Sequence, residues 1–553
     1  MITRSKHGIF KPKTYEVTTP TQKLHDPFKE PKTIKEALAI PNWKQAMDQE
    51  YNALIHNKTW VLTHLPVGAN LVGCKWIFKV KTNADGTINR HKARLMAKGF
   101  NQQSGLDFTE TFIPVVKPIT IRTVLTIALS LNWSLRQLDI ANAFLNGDLQ
   151  ETIYMAQPPG FTNGDKNMVC KLQKFLYGLK QAPRAWFQKL HDTLSVLGFN
   201  YAKSDCSLFF RITTSNIILI LVYVDDLIIS GSSQTEIDSV VTHLQTRFPA
   251  RDLGFPNYFP GIQVTQMSNN SLHLTQTKYI NDLLKRANMV TAKPVTTRMF
   301  QFRVVSLKLT NSDKDPCENP SLYRSIVGSL QYLIITRPEI SFSVNKVCQF
   351  MQEPKATHWQ AVKRILRYLC GTATTGIVLS KSNNLHIFAF CDADWGVDVD
   401  DRKSTTGFCV FLGCNPISWS SRKQQAVSRS TIEAEYRSLA AVTAEITWMK
   451  NLLHELQVPN IRTPKIYCDN LSAVLLAANP ILHSKTKHFE LDLYFVRDKV
   501  QKREISVQHI PSLEQTADIF TKPLTYPSFS SCMYKLRLHF CSPISLRESV
   551  KGI

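Results

Sequence analysis

The sequence predicts an α+β fold divided into several domains. Three observations carry that prediction: the length, an alternation of two hydrophobic periodicities, and a second strand-then-helix pattern late in the chain. At 553 residues the chain exceeds what one core supports, and a soft rule of roughly 150 residues per domain suggests about three or four units. Between about Trp43 and Phe255, strand-like runs such as "CKWIFKVKT" (74–82) alternate with helical patterns such as "TIRTVLTIALSL" (120–131). From about His386 a strand, a hairpin, a long helix and another strand follow in turn.

Taken in order, the first ~28 residues are polar, basic and Pro/Thr-containing, as in a leader or linker. After the alternating region comes a turn-rich passage holding "TAKPVTTRMF" and "TNSDKDPCENPS". It leads into "THWQAVKRILRYLCGT", where Trp359, Val362, Leu366 and Leu369 form an apolar helical stripe and Gly371 is the expected stop. Lys363, Arg364 and Arg367 fall on the other faces of that helix, either solvated or set against nucleic-acid phosphates. "NLHIFAFCDADW" reads as a strand and "GFCVFLGCNPISWSS" as a hairpin. "STIEAEYRSLAAVTAEITWMKNLLHEL" reads as a long amphipathic helix opened by a Ser430/Glu433 capping box, and "PKIYCDN" returns to a strand.

Sixty-six Lys and Arg against 43 Asp and Glu give a net charge of +23, spread along the chain. Such a distribution suits a protein that lies along a polyanion, most often nucleic acid; a basic membrane-surface binder is the alternative. The 12 cysteines form no C-x-x-C pair and no zinc-finger spacing, and read as buried free thiols in a reducing compartment. No secretory signal opens the chain, and its longest apolar run, Ile217 to Val224, is eight residues. A bilayer span needs about 20. The expectation is a soluble intracellular protein that is not secreted.

Within "ILVYVDDLIIS" (220–230) two aspartates, Asp225 and Asp226, interrupt one of the most apolar stretches. Flanking strands would make a hairpin that pushes both carboxylates out of an apolar sheet. Unpaired burial of a carboxylate costs several kcal/mol, so a hard divalent cation is the expected partner. An ordinary solvent-exposed Asp-Asp turn would have polar neighbours, whereas these are Val224 and Leu227. In-line phosphoryl transfer on a metal pair usually needs a further carboxylate from another strand, and "LRQLDIANAFLNGDL" offers Asp139.

Tyr223, Val224, Asp225 and Asp226 resemble the Tyr-x-Asp-Asp box of reverse transcriptases, with Asp139 at the position of their other catalytic aspartate. "HKARLMAKGFNQ" (91–102), "LYGLKQAPRAWF" (176–187) and "YRSIVGSLQYLIITRPEI" (323–340) resemble the polymerase of copia-type long-terminal-repeat retrotransposons. By that resemblance Arg94, with Lys92, holds the incoming triphosphate, a task suited to a guanidinium's forked donors. Phe144 is expected to crowd the sugar 2′ position, a plain core Phe being the alternative. Gln181 is expected to contact the templating base.

Asp392, Glu435, Asp469 and Asp518 match the acid set of ribonuclease H in type and order. Asp394 competes with Asp392 for the first place. His509, nine residues before Asp518, matches a loop histidine that aids proton transfer or product release; an exposed bystander is equally compatible.

The resemblance runs from about Trp60 to about Leu524. It implies a right-hand-like polymerase with fingers, palm and thumb-like region, followed by a ribonuclease H-like α/β domain with a mixed five-stranded sheet. Expected boundaries are 1–42 leader, 43–300 fingers and palm, 301–380 thumb or connection, 381–525 ribonuclease H-like and 526–553 tail. Implied cofactors are two Mg²⁺ ions per active site, Mn²⁺ being the alternative ion. Implied partners are RNA template, DNA primer, RNA/DNA hybrid and deoxynucleoside triphosphates, without a membrane, in a cytoplasmic particle or the nucleus. A methionine just upstream of the polymerase suggests a fragment of a decayed element, so the alternative function is a catalytically inactive nucleic-acid-binding remnant.

Overall fold

The computed structural model describes residues 28–82, 87–147, 149–162, 167–298, 309–311, 315–459, 462–479 and 489–540. Most of the expected leader, the link at 299–308 and the end of the tail lie outside the described residues. The chain divides into two compact units, Met1–Phe112 with Phe144–Lys189, and Ile113–Ala143 with Leu190–Ile553.

In the first unit, Cys74–Thr82 and Ile88–Ala97 form an antiparallel ribbon with Trp76 opposite Leu95 and Phe78 opposite Ala93. The two-residue side-chain period puts these four on one buried face and Lys92 and Arg94 on the other. Helix Pro41–His56 covers the apolar face, the Trp43 ring meeting Phe78 edge-on at 5.5 Å. A four-stranded sheet runs in the order Trp60–His64, Met168–Leu172, Tyr154–Met155, Leu71–Val72. The Tyr177–Gly178 corner crosses the end of the ribbon, where Ala97 N donates to Tyr177 O at 2.8 Å. Gly178 takes φ +97°, and a Cβ there would stand 2.1 Å from Ala97 O. Only glycine fits that approach.

The second unit opens on helix Pro118–Leu131, apolar on almost every side and buried along most of its length. A six-stranded antiparallel sheet follows, ordered Ala250–Gly254, Ser134–Ile140, Asp226–Gly231, Ile217–Tyr223, Leu208–Ile212, Asn200–Tyr201. Next to it in sequence, Tyr258–Phe259, Ile262–Gln266, Leu272–Thr275, Thr375–Leu379 and Leu538–Phe540 make a five-stranded antiparallel sheet. The expected helix appears as Ala356–Gly371, with Val362, Leu366 and Leu369 buried.

The mixed five-stranded sheet is present in the order Asn415–Lys423, Thr405–Leu412, Ile387–Asp394, Lys465–Cys468, Ser506–His509. Its central strand pairs antiparallel on one side and parallel on the other. Helix Thr431–Glu455 packs across it through Leu439, Val442, Ile446 and Met449. Ser430 Oγ accepts from Glu433 N at 3.2 Å, as the capping box requires. The reciprocal bond is displaced by one residue, since the Glu433 carboxylate accepts from Arg429 N at 2.9 Å.

Arg122 binds this module to the first helix of the unit. Its guanidinium donates to Ile417 O at 2.7 Å and Ile335 O at 2.9 Å and lies 4.0 Å over the Trp419 ring. Burial draws its pKa down to about 9. Trp448 Nε1 donates to Ser204 O at 2.9 Å, and Glu455 accepts from the amides of Lys203 and Ser204. The α+β class holds throughout. No helix among the described residues is long and apolar enough to cross a membrane.

Candidate active sites

The apolar run Ile217–Tyr223 turns back into Asp226–Gly231 through two residues, with Tyr223 directly opposite Asp226. Val224 carries the reversal at φ +55°. Asp226 in turn stands opposite Asp139, and Asp139 opposite Arg251, on successive strands. Paired residues of antiparallel strands have Cα atoms about 4.5–5.5 Å apart, so three carboxylates crowd one end of the sheet. Ile140 N donates to Asp225 O at 2.8 Å, which fixes the turn against the Asp139 strand.

Gln137, two residues before Asp139 and on the same strand face, donates to Asp226 Oδ1 at 3.2 Å and to Tyr258 O at 2.9 Å. Burial and the neighbouring Asp225 push Asp226 up to about 6 against the pull of Gln137, with Asp139 adding to the rise. A set of hard carboxylate oxygens fits Mg²⁺ or Mn²⁺.

The second group is tighter. Asp392 lies two residues before the end of the central strand of the mixed sheet, Asp469 follows Lys465–Cys468, and Asp518 sits in the short helix Thr516–Phe520. Ligand atoms of these three lie within 4.8 Å of one another, as do those of Glu435, Cys468 and Asp469. Neighbouring strands bring Asp392 and Asp469 together, because Cys391 pairs in parallel register with Cys468. Ser438, one helical turn after Glu435, donates to Asp392 O at 2.9 Å and locks the helix to that strand.

Glu435 is pushed up to about 10 by burial first, then by Asp392, Cys468 and Asp469. Burial, then Asp392, raises Asp518 to about 6. Asp394, two residues on along the same strand, lies outside the close group and accepts from Thr405 N. Among the described residues these are the carboxylate groups dense enough to hold an ion as they stand, and their donor chemistry fits Mg²⁺ or Mn²⁺.

The remaining sequence-derived residues fall as follows. In the first unit the Arg94 guanidinium lies 3.8 Å over the Tyr177 ring, its Nε without a hydrogen-bond partner. Tyr177 in turn touches the buried Phe144 ring at 4.5 Å between centroids. Lys92 is on the same ribbon face as Arg94, its pKa lowered by burial and then by Arg94. Gln181 is buried, donates to Asp107 O at 2.8 Å and accepts from Gln102 Nε2 at 3.0 Å, so its amide is committed within the protein.

In the second unit Arg364 donates to Thr297 Oγ1 at 2.9 Å and Arg367 to Lys293 O at 2.7 Å, while Lys363 stands 5.8 Å over the Trp359 ring. The two arginines strap their helix to the 293–297 segment. His509 ends a strand, exposed, with Nε2 3.2 Å from Asp469 O. Sequence reasoning missed Gln137 and Tyr177, both inside the blocks it quoted, and Thr521 and Lys522, three and four residues after Asp518. Position along a strand pointed to Gln137, and four-residue spacing from Asp518 pointed to Lys522.

Residues 57–301 match the family "Reverse transcriptase (RNA-dependent DNA polymerase)". The chain is 48% identical over 538 residues to the retrovirus-related Pol polyprotein from transposon RE1 of Arabidopsis thaliana, which covers 97% of this chain and 36% of that protein. It is 39% identical over 520 residues to the corresponding polyprotein from transposon TNT 1-94 of Nicotiana tabacum, covering 92% of this chain and 39% of that one. A putative transposon Ty5-1 protein of Saccharomyces cerevisiae is matched along 100% of its length at 34% identity, over 56% of this chain. The chain thus spans little more than a third of the plant polyproteins it matches. With the Asp139, Asp225 and Asp226 strand ends lying inside the polymerase match, the chain belongs to the copia-type retrotransposon Pol family and carries its reverse transcriptase region.

Proposed function

We propose that the chain is an RNA-directed DNA polymerase that also cuts the RNA strand of RNA/DNA hybrids. The observation that carries the reading is the direct opposition of Asp139 and Asp226 on adjacent strands, with Asp225 at the hairpin tip beside them.

Asp139, Asp225 and Asp226 are the residues that would hold Mg²⁺, or Mn²⁺, for polymerisation; Asp392, Glu435, Asp469 and Asp518 are those for hybrid cleavage. When bound, such ions activate an attacking oxygen and neutralise the leaving one. The chain supplies the geometry. A two-residue turn fixes the Asp225 and Asp226 carboxylates relative to Asp139, so little reorganisation accompanies attack of a primer 3′-hydroxyl on the α-phosphate of a deoxynucleoside triphosphate. Arg94, with Lys92, is the proposed holder of the triphosphate, its planar donors held flat by Tyr177. Phe144, behind Tyr177, is the proposed guard of the sugar 2′ position. In the second site His509 stands next to Asp469 for proton transfer or product release. Template, primer and hybrid are gripped by charge rather than sequence. The proposed setting is an intracellular particle or the nucleus.

Primer extension on an RNA template with Mg²⁺ and deoxynucleotides tests the reading. Extension by this chain and a drop of at least about 10³-fold in Asp225→Asn/Asp226→Asn are expected, the scale of losing a metal-borne phosphoryl-transfer step. No extension by either, with hybrid still bound, would reduce the chain to a nucleic-acid-binding remnant.

A further inference from the structure

Lys522 lies four residues after Asp518, past the end of the Thr516–Phe520 turn. Its Nζ stands 2.9 Å from Asp518 Oδ1 and 3.5 Å from Asp392 Oδ2. Those two carboxylates and Asp469 have their ligand atoms within 4.8 Å of one another. The ammonium therefore sits on two of the three carboxylates that a cation would take. Next to it, the Thr521 hydroxyl donates to Asp392 Oδ2, so two consecutive residues address one carboxylate.

Exposure separates the partners. The side chain of Asp392 is 3% exposed and that of Asp518 19%, while Lys522 is 42% exposed. The Asp392 carboxylate is fixed by the sheet and by Thr521, whereas the lysine reaches in from the solvent on a flexible stem and can withdraw along the same path. Crowded carboxylates need balancing charge, and a point-like ammonium supplies one unit of it where a divalent ion would supply two.

We propose that Lys522 is a resident counter-ion of the Asp392–Asp469–Asp518 group which a divalent cation must displace, so that this lysine sets the cation concentration at which the site loads. The inference rests on the reading of these carboxylates as an ion site. Its consequence is a site that stays closed to weakly held ions at low concentration and avoids self-repulsion when it carries none.

The test is Mn²⁺ binding to the full chain, read by electron paramagnetic resonance, with Asp225→Asn/Asp226→Asn in every sample to silence the other acidic group. Lys522→Gln is expected to bind Mn²⁺ on the order of tenfold more tightly than its parent, the size of one displaced short-range ion pair. Lys522→Arg should stay close to the parent. Lys502→Gln, which removes a lysine paired in the same four-residue spacing to Asp498, should change nothing, separating local displacement from net charge. Equal or weaker binding by Lys522→Gln overturns the proposal while leaving the ion site standing. Absence of Mn²⁺ binding in parent and variant alike overturns both. Should the glutamine variant fold poorly, Lys522→Met, which keeps the apolar stem, is read in the same way.

Discussion

Val224 pays for the sharpness of the acidic hairpin: a β-branched side chain at φ +55° costs roughly 1–3 kcal/mol of backbone strain. The neighbouring Asp226 adds an electrostatic cost. Its folded pKa is raised to about 6, by burial first, from about 3.9 in an unfolded chain. A raised carboxylate opposes folding once it ionises, so the destabilisation is small below pH ~4, grows between ~4 and ~6 and is constant above, at about 2 kcal/mol after allowance for solvent. Asp226→Asn should therefore melt higher than the parent in chelator at pH 8, by a margin that narrows at pH 5, while losing primer extension. Thermal melts at the two pH values check this; a margin that is absent, or wider at pH 5, contradicts it.

At the scale of elements, Gly178 and Ala97 meet backbone to backbone. Gly178→Ala would place a methyl 2.1 Å from Ala97 O at φ +97°, a local cost on the order of 2–4 kcal/mol. Gly178 belongs to the first unit and the tight carboxylate group to the second. Primer extension should fall at least about tenfold in that variant with hybrid cleavage retained, both assays being run on one preparation; equal loss of both would show that the damage is global. Elements of this kind were legible where period and chemistry coincide. The ribbon strand Cys74–Thr82 begins and ends with its alternating run, and the hairpin around Asp225 with its apolar flanks. Asp139, Asp225 and Asp226 were legible because they break into apolar strands, and the acids of the second group through their resemblance to the ribonuclease H set. Arg122, 295 residues from its partner Ile417, was not, because no periodicity encodes where a long side chain ends. The partners of Gln181 were not legible for the same reason: its amide reaches Asp107 and Gln102, far off in sequence.

Across the whole molecule the net charge of +23 governs association more than fold. Hybrid binding should weaken steeply with salt, by about 10³–10⁵ between roughly 50 and 200 mM if some six to ten phosphates are neutralised. Binding titrations over that range measure the slope, and a flat response would mean that the basic surface is not used. Architecture adds a mechanical property. The last described strand, Leu538–Phe540, returns to pair with Thr375–Leu379, and everything from His386 to Phe520 that builds the second acidic group lies between those two strands. The mixed-sheet module is therefore not a pendant on one flexible stalk but a loop anchored at both ends in a single sheet. A protease nick inside it leaves two pieces still stitched to the polymerase body, and swinging free requires unzipping a strand.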